Sequence, residues 1–553
     1  MMGGLWTVIK ILRNRIGTVL LALVCLTIGL SGCSSRPTET ITDVPTNTDV
    51  LEPQMILAYT AADSLNPYFA KTQANQELAT LMYDGLIVLK EGYVPEYRIA
   101  SNIQNQGTTV TVTLSRTLFS DGSLVTPQDV QQCMREAMKA ETLSYALDFQ
   151  NVIDVIINEK NQLEIYLKHP DPYFINFLDF PVYKVETVGQ ENTDNKDLPP
   201  LGSGRYVYHE EAGAYWLRAN PRWMKGAPKI KMIGLMNLPD AEAVAHAQHV
   251  GSIDWCYSDL SSNTFPSMNG KTKQVTLPNL VYLGANMHSG AMSNRVIRAG
   301  VSAALNRTAV AENAYFGVAK SASGPFTTNV KETEGLQVLS PTADTEKAIA
   351  FFEQAGYKTL NDQGYRVNQS GIELSAKIIY NRENSARENV ATLIAAQLGV
   401  VGCKATISGL PYNEYKTAVS KGHYDLYVAE MAIPDNFDLY PLLNAGGLIT
   451  LDVSDPVYQG ENEELPGGEG ADLGTVVENA GDNYVTARAA NRYRNGHGSL
   501  TEVVSCLNQE FPIIPVCHRM GMLIYDDSIV GEPKPLSTDP FFGIEHCTVP
   551  DES

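Results

Sequence analysis

The sequence is short of positive charge. Lys and Arg number 41 against 62 Asp and Glu in 553 residues, a formal net charge of -21. Nucleic-acid affinity rests on Lys and Arg meeting phosphate, and no basic run occurs beyond the N-terminus, so nucleic acid is excluded as a partner. Adhesion to anionic lipid through surface charge is excluded on the same ground. Long apolar runs are also missing. Past the N-terminal segment nothing approaches the ~18 residues that a spanning helix needs. Cysteine is sparse, eight in the whole chain, with no C-x-x-C, which is neither a disulfide framework nor a zinc pattern. The six Cys from Cys133 onward read as scattered thiols, and Cys506 with Cys517 is the one close pair.

Catalytic motifs are absent as well. There is no G-x-S-x-G, H-E-x-x-H, P-loop or EF-hand loop. His246 and His249 share one helix face, but nothing nearby completes a metal-ligand set, so they read as a surface pair. An enzyme is not expected, nor a metal or other cofactor. Exported hydrolysis at an unrecognised site stays open as an alternative.

What is present starts with the N-terminus. Lys10, Arg13 and Arg15 form a basic region, Ile16 to Leu30 is uncharged and apolar, and Leu30-Ser31-Gly32-Cys33 follows. The run suits a secretory signal better than a spanning helix. The motif resembles the lipobox of bacterial lipoproteins, which implies cleavage before Cys33 and a lipid on its sulfur. Residues 1–32 are then the signal, and 33–50, rich in Thr, Ser, Pro and Asp, a flexible tether. That places the protein on the extracytoplasmic face of a cell membrane, held by lipid.

The remainder is 44% hydrophobic and 19% charged over the chain, enough for a sizeable core. Strands and helices alternate, the pattern of an α/β protein. Val110 to Leu114 reads as a strand and Val207 to Leu217 as a hairpin turning at Glu211–Gly213. Thr126-Pro127-Gln128-Asp129 is a capping box with Pro at the first helical position. Asp240 and Asp344 read as helix caps. Helices are also expected over Asn294–Leu305, from Thr308 to a stop at Gly317, over Ser385–Leu398 and over Asn413–Ser420. Gly460 to Gly474 is acidic and Gly-rich and reads as a solvated loop.

Several stretches together resemble one family, the family 5 extracellular solute-binding proteins of ABC importers. They are Ser64–Pro67 with Leu81–Leu86, then Leu114–Val130 (LSRTLFSDGSLVTPQDV), Pro200–Tyr206, Trp216–Trp223, Arg295–Arg307 and Ala355–Tyr357. The resemblance implies an α/β, two-lobed, periplasmic-binding-protein-like clamp with an extra subdomain. Lobe I is expected at 51–285, with the subdomain near 66–195, lobe II at 286–510, and a return to lobe I at 511–553. Ligand closes the lobes by a hinge motion. The implied partners are a small peptide or related solute, an ABC permease with its ATPase, and the membrane through the N-terminal lipid.

In peptide-binding members, the region matching Tyr424–Asp438 carries a Trp and then an Asp that pairs with the peptide α-amine. Here Met431 stands at the Trp position. Counted without a gap, Pro434 stands at the Asp position and Asp435 is one residue late. The candidate ligand residues are therefore Glu430, Met431, Asp435 and Asn436, with Lys71, Thr72 and Gln73 as a second lining segment and Tyr282 and Asn286 at the expected crossover. Asp435 and Asn436 also read simply as turn residues. Other readings of the same fold remain: a sugar or metal-chelate binder, or a peptide-sensing receptor.

Overall fold

In the computed structural model, residues 52–550 are described, apart from 141–144, 193–196, 212, 260–268, 328–329, 334, 337 and 445–484. The N-terminal signal, Cys33, the tether and the Gly460–Gly474 loop therefore lie outside the described residues.

The chain first builds strand β1 (Met55–Tyr59), the hairpin β2 (Ile87–Lys90) and β3 (Val94–Tyr97), then β4 (Ala100–Gln106), β5 (Thr109–Leu114), β6 (Val152–Ile157) and β7 (Leu163–Leu167). Next come β8 (Tyr206–Glu211), β9 (Ala214–Ala219), β10 (Met232–Asn237), β11 (Trp255–Ser258) and the long β12 (Lys271–Ala285). Then follow β13 (Ala319–Ser321), the short pair β14 (Thr359–Leu360) and β15 (Arg366–Val367), β16 (Ser375–Asn381), β17 (Lys404–Leu410), β18 (Leu426–Ala432) and β19 (Ile513–Tyr525).

Two small sheets, ordered β1-β10-β9-β8 and β4-β5-β7-β6, belong to the first part of the chain. The principal sheet runs β11-β19-β12-β18-β16-β17, with β13 on β19. Its core pairs with both ends of the described chain. One core joins Met55, Leu81, Phe119, Phe180 and Ile233 to Leu523, Phe541 and Ile544. This is the first lobe. The second lobe fills both faces of the principal sheet. Val281, Leu283, Val428 and Val516 point to one face, against Val301, Phe352 and Ile394. Leu280, Tyr282, Tyr427 and Met431 point to the other, against Phe326, Phe437 and Leu507. The alternation is the two-residue period of a strand, and a sheet covered on both faces reads as near-continuous apolar runs.

Strands β12 and β19 link the lobes. Lys271–Thr276 pairs with Tyr525–Met520 and Leu280–Gly284 with His518–Ile513, with a break in register between Thr276 and Leu280. Pro278 lies in that break, and proline has no N–H to give a ladder. The pairing thus breaks upstream of Leu283–Asn286. At the crossing, Arg519 Nη1 donates to Glu430 Oε1 at 2.7 Å, and Asn279 Nδ2 donates to the same oxygen at 2.8 Å. Both members of the ion pair are buried.

Local signals explain most helix starts. Thr126 Oγ1 accepts from Asp129 N at 3.2 Å, and Asp129 Oδ2 accepts from Thr126 N at 3.0 Å, the full capping box ahead of Pro127–Ala137. Asp240 caps Ala241–His249 and Asp344 caps Thr345–Gln354. The helix expected from Thr308 begins at Arg307, because Asn306 Oδ1 accepts from Ala309 N. His246 and His249 are exposed. All six described Cys are free thiols, Cys506 and Cys517 included.

The C-terminal segment is pinned to the first lobe by one Arg. Arg205 Nη2 donates to Asp539 at 2.8 Å and to Thr80 O at 2.7 Å, and Nη1 donates to Phe541 O at 2.9 Å. Both side chains of the ion pair are buried. Buried Glu545 lies 3.5 Å from Arg205 Nη1 and keeps one carboxylate on it, so Asp539→Ala is expected to cost less than a fully orphaned buried charge, about 2–3 kcal/mol of unfolding free energy. Denaturant melts of the two proteins at equal m-value check this, and a loss below about 1 kcal/mol would refute it.

Candidate functional site

The chain leaves β18 through Ile433, whose N–H donates to Pro278 O at 3.0 Å, and turns at Pro434–Leu439. Phe437 N donates to Pro434 O at 2.8 Å and closes the turn. Phe437 sits at φ +63°, in the left-handed region that a bulky residue rarely adopts. Asn436 Oδ1 accepts from Asp438 N at 3.2 Å, the local side-chain bond that suits Asn to a turn.

This turn holds the two lobes together. Asn176 Nδ2 donates to Asp435 O at 2.8 Å, and Asn436 Nδ2 donates to Asp171 Oδ2 at 2.8 Å. Both partners come from the first-lobe segment after β7. The Phe437 ring stands edge-on to Tyr93 at 4.6 Å and to Tyr173 at 4.9 Å, and lies 5.2 Å from its own lobe's Phe326. Tyr493 Oη donates to Asn436 O at 2.7 Å from the same side as Phe326.

The Asp435 carboxyl differs from its neighbours. It accepts no hydrogen bond among the described residues and faces no cation. Its residue is only part-exposed. Burial pushes its pKa well above the usual carboxylate range, with Asp179 and then Asp148 pushing further. Asp179, likewise without a cation, is pushed up to about 7 by burial. Asp438 behaves less extremely, at about 6, since Arg494 opposes its burial. A cavity of about 110 Å³ opens beside Asp435. Its walls include Tyr93, Gln274, Thr276, Pro278, Thr327 and Ser537. That is room for several heavy atoms, well above one water.

The other residues singled out from the sequence fall elsewhere. Glu430 is held in the ion pair with Arg519 and the bond from Asn279, so its charge is already matched. Met431 and Tyr282 are buried in the core on the Phe437 face of the principal sheet, and Tyr282 stacks edge-on with Tyr427. Asn286 is a structural clasp. Its Nδ2 donates to Gly422 O, Tyr424 O and Ser289 Oγ at 2.9–3.0 Å. Thr72 N and Oγ1 bond Asp63 Oδ2 at 2.8 and 2.7 Å, and Lys71 N bonds the same carboxylate while its side chain is exposed. Gln73 Nε2 donates to Glu77 Oε1 at 2.7 Å. Glu77 is itself pushed up to about 8 by burial. Lys71, Thr72 and Gln73 therefore gather around Asp63 and Glu77, while Asp435 and Asn436 gather with Tyr93, Tyr173, Asn176 and Phe437.

Asp148, Asp171, Asn176, Asp179 and Phe437 carry no motif that sequence reading could seize. Gly92-Tyr93 is the exception. It links β2 to β3, both residues have positive φ, and Gly there is a turn signal.

Two lobes joined by two shared strands, with a cavity beside Asp435 whose wall also holds Lys90 and Glu91, define a solute-binding clamp. Residues 93–447, more than half of the chain, match the family model described as bacterial extracellular solute-binding proteins, family 5 Middle. The chain belongs to that family, whose members are solute-binding proteins of ABC importers and act outside the cytoplasm. It is 23% identical over 368 residues to a glutathione-binding protein of Salmonella choleraesuis, covering 63% of this chain and 67% of the relative. It is 24% identical over 392 residues to the nickel-binding periplasmic protein of Escherichia coli, covering 68% and 72%. A crystal structure of a nickel ABC transporter protein from Bacillus halodurans superposes with TM-score 0.67 at 16% identity, over 90% of this chain and 100% of that one. No described helix is long and apolar enough to cross a membrane.

The buried Asp179 makes stability depend on pH. Asp179 is raised in the folded state, so its contribution is fully present below about pH 4 and is lost as pH rises through about 7. Asp179→Asn is expected to flatten the fall in ligand-free stability across that window. Thermal melts at pH 4.5, 6 and 7.5 test it, and parallel curves for variant and parent would count against the assignment.

Proposed function

We propose that the chain is a lipid-anchored substrate-binding protein that delivers a small peptide, or a similar solute with a free amine, to an ABC importer. The observation that carries this reading is the enclosed Asp435 carboxylate, which stands beside Asp179 with no cation. Burial raises the pKa of this carboxyl, so its ionised form is costly without a partner, and a ligand ammonium at Asp435 would supply one. The glutathione-binding relative supports a peptide-like ligand, since glutathione is a small peptide. Asp435 is thus the amine anchor, Asn436 and the backbone of the same turn fix its geometry, and the cavity walled by Tyr93, Thr276 and Thr327 receives the adjoining atoms. Binding, not turnover, is the work of this chain, and the importer's ATPase supplies the energy.

The proposal extends to the N-terminus. Cleavage before Cys33 and lipidation of its sulfur would hold the protein at the extracytoplasmic membrane face, and residues 33–50 would let it reach its permease at high effective concentration. The lobe limits of 51–285, 286–510 and 511–553 are part of the same reading. A second reading, a metal-chelate binder, is favoured by the nickel-binding relative.

Native mass spectrometry of the soluble domain as purified separates the two. A ladder of peptide masses supports the amine-anchor reading, and a single metal-containing mass supports the chelate reading. Asp435→Asn is expected to weaken binding of a free-amine peptide by about 2–5 kcal/mol, as loss of one partner of a buried charged pair does. Titration calorimetry with free and N-acetylated versions of one peptide checks this. Equal affinities for both versions in the parent would remove the amine anchor.

A further inference from the structure

Asn436 and Phe437 do more than shape a turn. From the geometry we infer that they form a latch, the element that holds the clamp closed, and that the latch is continuous with the ligand anchor. The link to Asp435 rests on the reading of that residue as the anchor; the latch itself does not.

The contacts between the lobes converge on one place. On the first-lobe side are Tyr93, at the tip of the β2–β3 hairpin, and the segment Pro170–Asn176. On the second-lobe side are Phe326, Thr327 and Glu332, Asp435–Phe437 and the end of the helix Val485–Arg494. Phe437 inserts its ring between Tyr93 and Tyr173. Asn436 takes Asp171 and Asp435 O takes Asn176. The Tyr93 hydroxyl bonds Thr327, and the Tyr173 hydroxyl bonds Glu332. Gly496 approaches so closely that a Cβ there would lie 2.7 Å from Pro170 Cβ. Aromatic edge contacts, neutral and charged hydrogen bonds and a glycine close approach thus occupy a single seam.

The backbone of Phe437 explains why the seam is a latch rather than a passive contact. A left-handed Phe is strained by roughly 1–3 kcal/mol and persists only where its surroundings over-determine it. Here those surroundings are shared between lobes. On opening, the ring would lose Tyr93 and Tyr173 and Asn436 would lose Asp171, while the φ of +63° kept only its own lobe's support. The strained turn is therefore stable chiefly in the closed state. Asp435 precedes Asn436 directly, so a ligand that fixes Asp435 also fixes the residues that grip the opposite lobe. This gives the ligand the different affinities for open and closed forms that any closure must have.

The latch can be tested from both sides of the seam. Phe437→Gly removes the ring and keeps a residue at ease with positive φ. Tyr173→Ala removes the opposing ring and leaves the turn intact. The probe is a mixed tripeptide library with free N-termini, with dissociation followed by stopped flow and the ligand-stripped proteins compared by solution X-ray scattering. Each variant is expected to release bound tripeptide about tenfold faster, the scale of one lost aromatic pair with its burial, with association little changed. Each is also expected to show a larger radius of gyration than the parent under ligand-stripped or subsaturated conditions. Unchanged dissociation and unchanged scattering in both variants would overturn the latch. If the parent itself binds no tripeptide, the amine-anchor reading falls, and the latch is decided by scattering alone. If Asp435→Asn loses the tripeptides yet keeps the parent's scattering, the latch stands and its continuity with the anchor is overturned.

Discussion

Strands β12 and β19 pair with each other at both ends, and β19 carries side chains from the core of one lobe, at Leu523 and Tyr525, into that of the other, at Ile513, Ile514 and Val516. That shared ladder is the constraint on which the rest depends. Two strands cannot be sheared apart without losing ladder bonds, but they can bend where the pairing is already broken. The break at Thr276–Leu280, with Pro278 inside it, supplies such a place. Arg519, Glu430 and Asn279 lie beside the break and fix it electrostatically. A buried ion pair of this kind adds little net stability against an apolar isostere, but losing one partner is severe, so it holds geometry more than energy.

The same crossing places the cavity beside Asp435. Ile433 N is bonded to Pro278 O, so the turn that carries Asp435 is tied directly to the break in β12. Asp435 and Asp179 interact in this arrangement, and each is pushed up, chiefly by burial. Aromatic and hydrogen-bonded contacts across the seam favour the closed arrangement, while the burial of the Asp435 and Asp179 carboxyls works against their ionised forms. A balance of a few kcal/mol between such terms is what lets a modest ligand interaction decide the population.

Legibility in the sequence follows how local each cause is. Thr126–Asp129 was readable because both partners of the capping box lie within one turn of helix. Asp240, Asp344 and the hairpin around Gly213 were readable for the same reason. Asp435 and Asn436 were readable as a turn and as a site candidate, since turn chemistry and family resemblance point to one stretch. Glu430 looked equally available, because its partner Arg519 is distant in sequence and nothing in the local run announces an ion pair. Tyr282 and Met431 looked like cleft residues, but the strand period sends both to the buried Phe437 face. Asn286 looked like a ligand contact, whereas its amide serves as a clasp for Gly422 and Tyr424. Asp179 and Asp171 were illegible in an acidic chain, where any carboxylate is unremarkable until folding removes its water.

Phe437 shows why the last step cannot be made from sequence. Aromatic residues seldom occupy left-handed backbone, so propensity argues against the conformation it adopts. Its ring is held by Tyr93 and Tyr173 of the other lobe as well as by Phe326 of its own, and the Pro434 carbonyl closes its turn. A residue whose local preference is overruled by contacts across a hinge reports on the hinge. Its strain is the part of the fold that would be released on opening, and its neighbour Asp435 is the part that ligand would bind. Local disfavour and remote compensation therefore mark the same short turn, and both follow from its position at the end of β18, where a central strand of one lobe meets the wall of the other.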